Sequence, residues 1–270
     1  LIHQFVFLRH YFKNLMQFAP FFNQIKKMVS KNLILNLDAH TIQRLKTEGG
    51  VFLIDKPLNW TSFDVVNKLR YVLKKKTGDK NLKVGHAGTL DPLATGLLIV
   101  CVGKMTKQID SFMDTTKGYA GTLVLGATRP SYDMETEIDQ TFPTEHLNEV
   151  IFEAARQPFL GEIQQYPPMF SAIKVGGRPL YESARQGIEV KVEPRQVRID
   201  RFDIELINEN TLSFIVTCSK GTYIRSLAYD FGKACGSGAY LSSLQRTASG
   251  AFELKNAWQM ETLIQQLEQI

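Results

Sequence analysis

The sequence predicts one α+β domain, a central mixed or antiparallel sheet flanked by helices and loops. Three observations carry this. Leu97–Val102 is a continuous apolar run bounded by glycines, the pattern of a strand covered on both faces. Further strand-like runs fall at 119–126, 195–206 and 211–218. Helical periodicity precedes them, with Val65, Val66, Leu69, Val72 and Leu73 on one face. No repeat, low-complexity stretch or linker divides residues 49–270, so 49–260 is taken as a single domain.

In chain order, residues 36–48 predict a short polar helix stopped by Gly49-Gly50. VFLIDKP (51–57) predicts a buried strand ending in a turn. Thr61 is placed to start a helix, with Asp64 three residues on as a capping box. GHAGTLD (85–91) predicts a tight turn before the buried strand. Gly85 and Gly88 permit backbone paths that a Cβ would block, and Pro92 biases Asp91 toward extended geometry. YAGTLVLG alternates as a strand does, and TRPSYDMETE is a loop. A helix is expected from Thr144 to Phe159, then an excursion over 165–190 holding a Pro-Pro and a Gly-Gly. A helix near 224–235 and another from Glu261 close the chain.

Net charge is +5 and the pI about 9.0, which favours an acidic partner. Two stretches concentrate the charge. Residues 68–83 hold seven Lys or Arg and one Asp, and residues 165–201 hold seven against four acids, interleaved with Tyr166, Phe170 and Tyr181. Both fit a nucleic-acid backbone, and both also fit an ordinary solvated surface. Cys101, Cys218 and Cys235 form no CxxC pair and are read as reduced core residues of a cytoplasmic protein. No uncharged run reaches the ~18 residues of a membrane span. Residues 1–48 are taken as an N-terminal extension. Its first 28 residues lack a cleavage site and a clean apolar core, and are read as translated upstream sequence with a start at Met16 or Met28, with an amphipathic appendage as the alternative.

Several kinds of chemistry lose ground. There is no Walker A, no GxGxxG opening a βα unit, no GxSxG and no HExxH, and the five histidines are scattered. Four features remain: Asp91 in its stiff turn, Tyr119 heading a strand, Tyr223 with Arg225 in CSKGTYIRS, and LQRTASG (244–250). If 223–225 is extended, Tyr223 and Arg225 share a face. An Arg beside a carboxylate stabilises its anion. A carboxylate, two rings, an Arg and a basic surface can hold a flipped base while the carboxylate acts on it. Each feature alone is equally consistent with a turn Asp or a surface Tyr and Arg.

Together with GVFLIDKPLNWTSFDVV, KGYAGTLVLGATRPSYDMETEI, PPMFSAIKVGGRPLYESARQGIEV and GSGAYLSSLQRT, the motif GHAGTLDPLATGLL resembles the TruB-type tRNA pseudouridine synthases, in order, from about residue 50 to 250. The resemblance implies the pseudouridine synthase fold with an RNA-gripping thumb insertion. It implies isomerisation of the T-loop uridine of tRNA (position 55 in standard tRNA numbering) with no cofactor and no metal. It assigns Asp91 as the catalytic nucleophile that attacks ribose C1′, with passage through a glycal as the alternative path. Tyr119 is to stack on the uracil, Tyr223 to serve as a base, and Arg225 to pair with Asp91. Leu244 is to wall the pocket and His86 to wedge into the T-loop. Lys56 is expected with the substrate-binding residues, in a Lys-Pro motif that is mostly structural. Flipping costs a few kcal/mol, and one aromatic stack returns about 1–3 kcal/mol.

Many members add a C-terminal PUA domain. Here too few residues follow LQRTASGAFEL for one, so contact is expected with the T-arm alone. The expected partner is tRNA, with no membrane and no obligate protein partner, and the expected state a monomer. A tRNA-folding chaperone activity is a second role to weigh. A chaperone alone would not need Asp91, and a guided synthase would need docking extensions.

Overall fold

The computed structural model describes residues 32–188 and 190–270; the expectation about residues 1–28 lies outside them. A ten-stranded sheet organises the chain. Its first half contains β1 (Gly50–Lys56), β2 (Val84–Ala87) and β3 (Ala94–Val102). These are joined by α1 (Ala39–Thr47), which precedes β1, and α2 (Ser62–Thr77). Asp38 caps α1, and Thr61 and Asp64 cap α2 reciprocally, satisfying donors that a bare helix start would orphan. All five residues predicted for the inner face of α2 are buried.

The second half begins after a 3₁₀ turn (Gly103–Gln108) and α3 (Ile109–Met113). It contains β4 (Lys117–Leu125), a minor pair β5 (Ala127–Thr128) and β6 (Gln140–Thr141), then α4 (Glu149–Arg156) and β7 (Gly161–Gln165). The expected helix from Thr144 is shorter because Asn148 caps it, accepting from the Val150 and Ile151 amides at 3.0 and 3.1 Å. The excursion leaves between β7 and its own sheet partner. It carries a small hairpin, β8 (Lys174–Val175) with β9 (Arg178–Pro179), and α5 (Leu180–Arg185). The chain returns as β10 (Arg195–Asn208), antiparallel to β7, followed by β11 (Thr211–Cys218) and α6 (Ile224–Ala234). It closes with β12 (Ala239–Ser249), β13 (Phe252–Glu253), β14 (Trp258–Gln259) and α7 (Met260–Gln269).

The strand order is β14-β1-β3-β12-β4-β11-β10-β7. Pairing is antiparallel except β1 with β14 and β3 with β12, so the sheet is mixed. The seam between β3 and β12 is short. Only Leu244–Ala94, Gln245–Thr95 and Arg246–Gly96 face each other there. Gly96, at φ +99°, admits this approach: a Cβ would lie 2.4 Å from the Arg246 carbonyl oxygen. One core packs α2 and α7 on the first half, another packs α4 and α6 on the second, and a third fills the opposite face of the first half. All three cysteines are free and buried, and burial pushes their thiols up to about 12, 11 and 12 in chain order. Among the described residues no helix is long and apolar enough to cross a membrane.

Candidate active site

A cleft opens where the two halves of the sheet part at the β3–β12 seam. Its lining includes Gly88, Asp91 and Ala94 from the loop entering β3, Tyr119 from β4, Tyr223 and Arg225 at the start of α6, and Leu244 and Arg246 from β12. The excursion contributes Ser171, Ala172 and Ile173. Five of the residues singled out from sequence, Asp91, Tyr119, Tyr223, Arg225 and Leu244, therefore meet in one place, from segments up to 153 positions apart.

The loop carrying Asp91 is held along its length. Arg246, 2% exposed, donates from Nη2 to the Gly88 carbonyl at 3.0 Å and from Nε to the Leu97 carbonyl at 2.7 Å. Ser62 Oγ both accepts from the Leu90 amide at 2.8 Å and donates to the Leu90 carbonyl at 3.1 Å. The Asn59 amide donates to the Pro92 carbonyl at 2.8 Å. What looked like one tight turn is a strand, β2, followed by a turn that starts at Gly88 with φ +93°.

Asp91 itself is half-buried and ion-paired. Arg225 Nη2 lies 2.9 Å from Asp91 Oδ2, and Arg225 Nε lies 3.5 Å from Asp133 Oδ2. The same guanidinium donates to the Ser131 carbonyl at 3.1 Å and the Phe170 carbonyl at 2.9 Å. Four partners on three separate loops thus converge on one buried fork of donors. Asp133 is pushed above the usual carboxylate range by burial, which outweighs the Ser131 hydrogen bond and the Arg225 charge. Tyr119 is buried beside Arg246, its cross-strand neighbour, and burial raises its phenol.

Tyr223 and Arg225 share the cleft at the start of the helix expected near 224–235, so the extended alternative for 223–225 does not hold. Tyr223 is the N-cap of α6 and Arg225 lies in its first turn. The Gln165 side chain fixes this corner, accepting from the Tyr223 amide at 2.8 Å and donating to the Tyr223 carbonyl at 3.0 Å. Arg195 sits over the Tyr223 ring at 5.1 Å.

Two of the singled-out residues lie elsewhere. Lys56 is fully buried, so it does not reach the cleft as a substrate contact would. Its ammonium donates to the Pro57, Trp60 and Pro92 carbonyls at 2.8, 2.5 and 3.3 Å, tying the turn after β1 to the residue following Asp91. Desolvation lowers it to about 8, against the raising effect of Asp91 and Asp64. His86 is half-buried in β2, opposite Val100, outside the cleft lining. Burial, then the Arg246 charge, lowers its imidazole.

Asp133, Ser62 and Gln165 were not singled out by the sequence, and Arg246 entered only as part of LQRTASG, with no role of its own. Arg246 had a signal, since two residues apart on one strand it shares a face with Leu244. The predicted basic stretch 68–83 lines a separate groove with Arg70, Lys74, Lys80 and Lys83 at the end of α2. Val84 and Gly85 line that groove and Gly88 lines the cleft, so β2 connects the two. Among the described residues no group of His, Cys, Asp or Glu gathers as a metal site would.

A family model described as TruB family pseudouridylate synthase (N terminal domain) matches residues 73–224, more than half of the chain and including Asp91, Tyr119, Asp133 and Tyr223. The chain belongs to the TruB family. It is therefore a pseudouridine synthase, an isomerase, and its mixed sheet is the fold of that family. The TruB-family chain is 58% identical over 211 residues to the tRNA pseudouridine synthase B of Flavobacterium johnsoniae, covering 78% of this chain and 92% of that protein. It is 50% identical over 222 residues to the protein of the same name in Phocaeicola vulgatus, covering 82% and 94%. Among solved structures it is similar to a chain of a Cbf5-Nop10-Gar1 complex, with TM-score 0.62 and 28% identity. That match covers 85% of this chain and 56% of the other, so the chain spans little more than half of that neighbour's length.

Proposed function

We propose that this TruB-family chain isomerises the T-loop uridine of tRNA, position 55 in standard tRNA numbering, within a catalytic unit spanning residues 49–260. The observation that carries the reading is the Asp91–Arg225 pair at 2.9 Å, in a cleft walled by Tyr119 and Leu244. The naming of its relatives as tRNA pseudouridine synthases supports tRNA as the substrate.

In this reading the target uridine leaves its loop and enters the cleft, stacking on Tyr119 against Leu244. Stacking returns about 1–3 kcal/mol, which offsets most of the cost of extrusion. Asp91, oriented by Arg225 through Oδ2, either attacks ribose C1′ to form the acylal or takes the C2′ proton to form the glycal and later returns it, and on either path the bond from C1′ to N1 breaks. The uracil turns within the pocket and rejoins C1′ through C5. Tyr223 takes the proton from C5 and N1 is protonated, so atoms balance and nothing is consumed. Either the acylal or the glycal path meets these requirements.

The basic groove at the end of α2 and the excursion supply the grip on the RNA backbone. His86, on the strand linking groove and cleft, is placed to meet the T-loop where the uridine leaves. Holding the T-arm open this way does not require Asp91, so tRNA remodelling is a second activity of the same surface.

The test is position-resolved pseudouridine mapping on an unmodified tRNA transcript and on an isolated T-arm hairpin. The expected result is modification at the T-loop uridine in both, with similar kcat/KM. Modification at another position, or none, refutes the assignment of substrate.

A further inference from the structure

Ser171 is a buried side chain in the cleft that the mechanism does not use. It is 4% exposed, and its Oγ has no hydrogen-bond partner in the protein. Among the described residues two other buried side-chain polar atoms share this condition, His86 Nδ1 and Arg129 Nε. Neither residue lines the cleft, and the Arg129 guanidinium is stacked over Tyr240 at 4.6 Å. Ser171 lines the same cleft as Asp91.

Its backbone is fixed on both sides. The preceding carbonyl, of Phe170, accepts from Arg225 at 2.9 Å, and the Ser171 carbonyl accepts from the Tyr181 amide at 3.0 Å. The backbone that carries the hydroxyl is thus held by the same guanidinium that holds Asp91, while the hydroxyl itself satisfies nothing within the protein. A buried hydroxyl without a partner lowers stability, and alanine there would not. A ligand in the cleft supplies the partner once rotation about the Cα–Cβ bond turns the sealed hydroxyl toward it.

We propose that Ser171 Oγ hydrogen-bonds the extruded nucleotide and contributes to its selection. This rests on the reading of the cleft as the uridine site. The contact is to a polar group of a ribonucleotide, either the ribose 2′-hydroxyl or an edge of the uracil.

The experiment compares wild type with Ser171→Ala on the T-arm hairpin by single-turnover kinetics and thermal melting. The expected result is a fall in kcat/KM of about 3- to 12-fold, the loss of one ordinary hydrogen bond, with Tm unchanged or higher. Kd is then measured in the Asp91→Asn background for hairpins carrying uridine or 2′-deoxyuridine at the target. Weakening by Ser171→Ala on uridine alone places the contact at the 2′-hydroxyl, and weakening on both places it on the base. A kcat/KM within twofold of wild type, or a Tm that falls in step with activity, overturns the proposal. If wild type converts no hairpin, the reading of the cleft fails instead.

Discussion

Arg246 and Arg225 grip the same loop three residues apart, Arg246 through the Gly88 carbonyl at 3.0 Å and Arg225 through the Asp91 carboxylate at 2.9 Å. Both guanidiniums are buried, at 2% and 4% exposure, and come from different elements, β12 and α6. A carboxylate held this way keeps its geometry before any substrate arrives, which lowers the ordering cost at the reacting atoms.

Arg225 has four partners, and substitutions should separate charge from shape. Arg225→Ala leaves Asp133 buried opposite no cation, an expected loss of about 3–5 kcal/mol in denaturant unfolding. Arg225→Lys keeps the charge but cannot reach Asp91, Asp133 and two carbonyls with one ammonium. It should fold and lose about 100-fold in kcat/KM. Equal activity of the Lys variant would show that charge alone suffices.

Ser62 acts on Asp91 through the backbone of Leu90. Ser62→Ala removes both hydrogen bonds and leaves a buried amide unpaired, at a cost of about 1–3 kcal/mol. The expected kinetic signature is a lower kcat with little change in KM, because the loop loosens while the binding walls remain. A rise in KM alone would place Ser62 in substrate binding.

Lys56 predicts a pH dependence. Its folded value, lowered to about 8 from 10.5, means that between these pH values the unfolded chain holds a proton that the folded chain has shed. Stability therefore rises with pH through that window. The unfolding free energy of wild type minus that of Lys56→Met should be flat below pH 8 and climb by at most ~3 kcal/mol toward pH 10.5. A difference that falls over the same range would contradict the burial argument.

The groove at the end of α2 predicts salt behaviour. If Lys74 and Lys83 neutralise phosphates, Lys74→Ala and Lys83→Ala should each weaken tRNA binding and flatten the plot of log Kd against log salt by about one unit. An unchanged slope would make this groove an ordinary solvated face.

Much of this architecture was legible where local chemistry decides it. The Thr61–Asp64 box, the inner face of α2 and the buried strand β3 follow from capping and periodicity alone. The strand β12 was missed, because its bulges near Leu241–Ser243 and Arg246–Ala248 break the alternation that marks a strand. Asp133 carried no signal, since its partner Arg225 lies 92 positions away and only the fold brings them together. Tyr223 and Arg225 meet in the cleft at the start of the expected helix, and the extended run that would also have put them on one face is absent. Lys56 was legible as part of a motif, but burial, which sequence does not give, turns it inward.

The most direct test is pseudouridine formation by wild type and Asp91→Asn on the same T-arm hairpin, with binding measured for both. Asn, nearly isosteric and able to keep the loop closed, is expected to bind within a few-fold of wild type and to form no pseudouridine. Retained isomerisation in the Asn variant would contradict the claim that this loop is held rigid in order to aim a carboxylate.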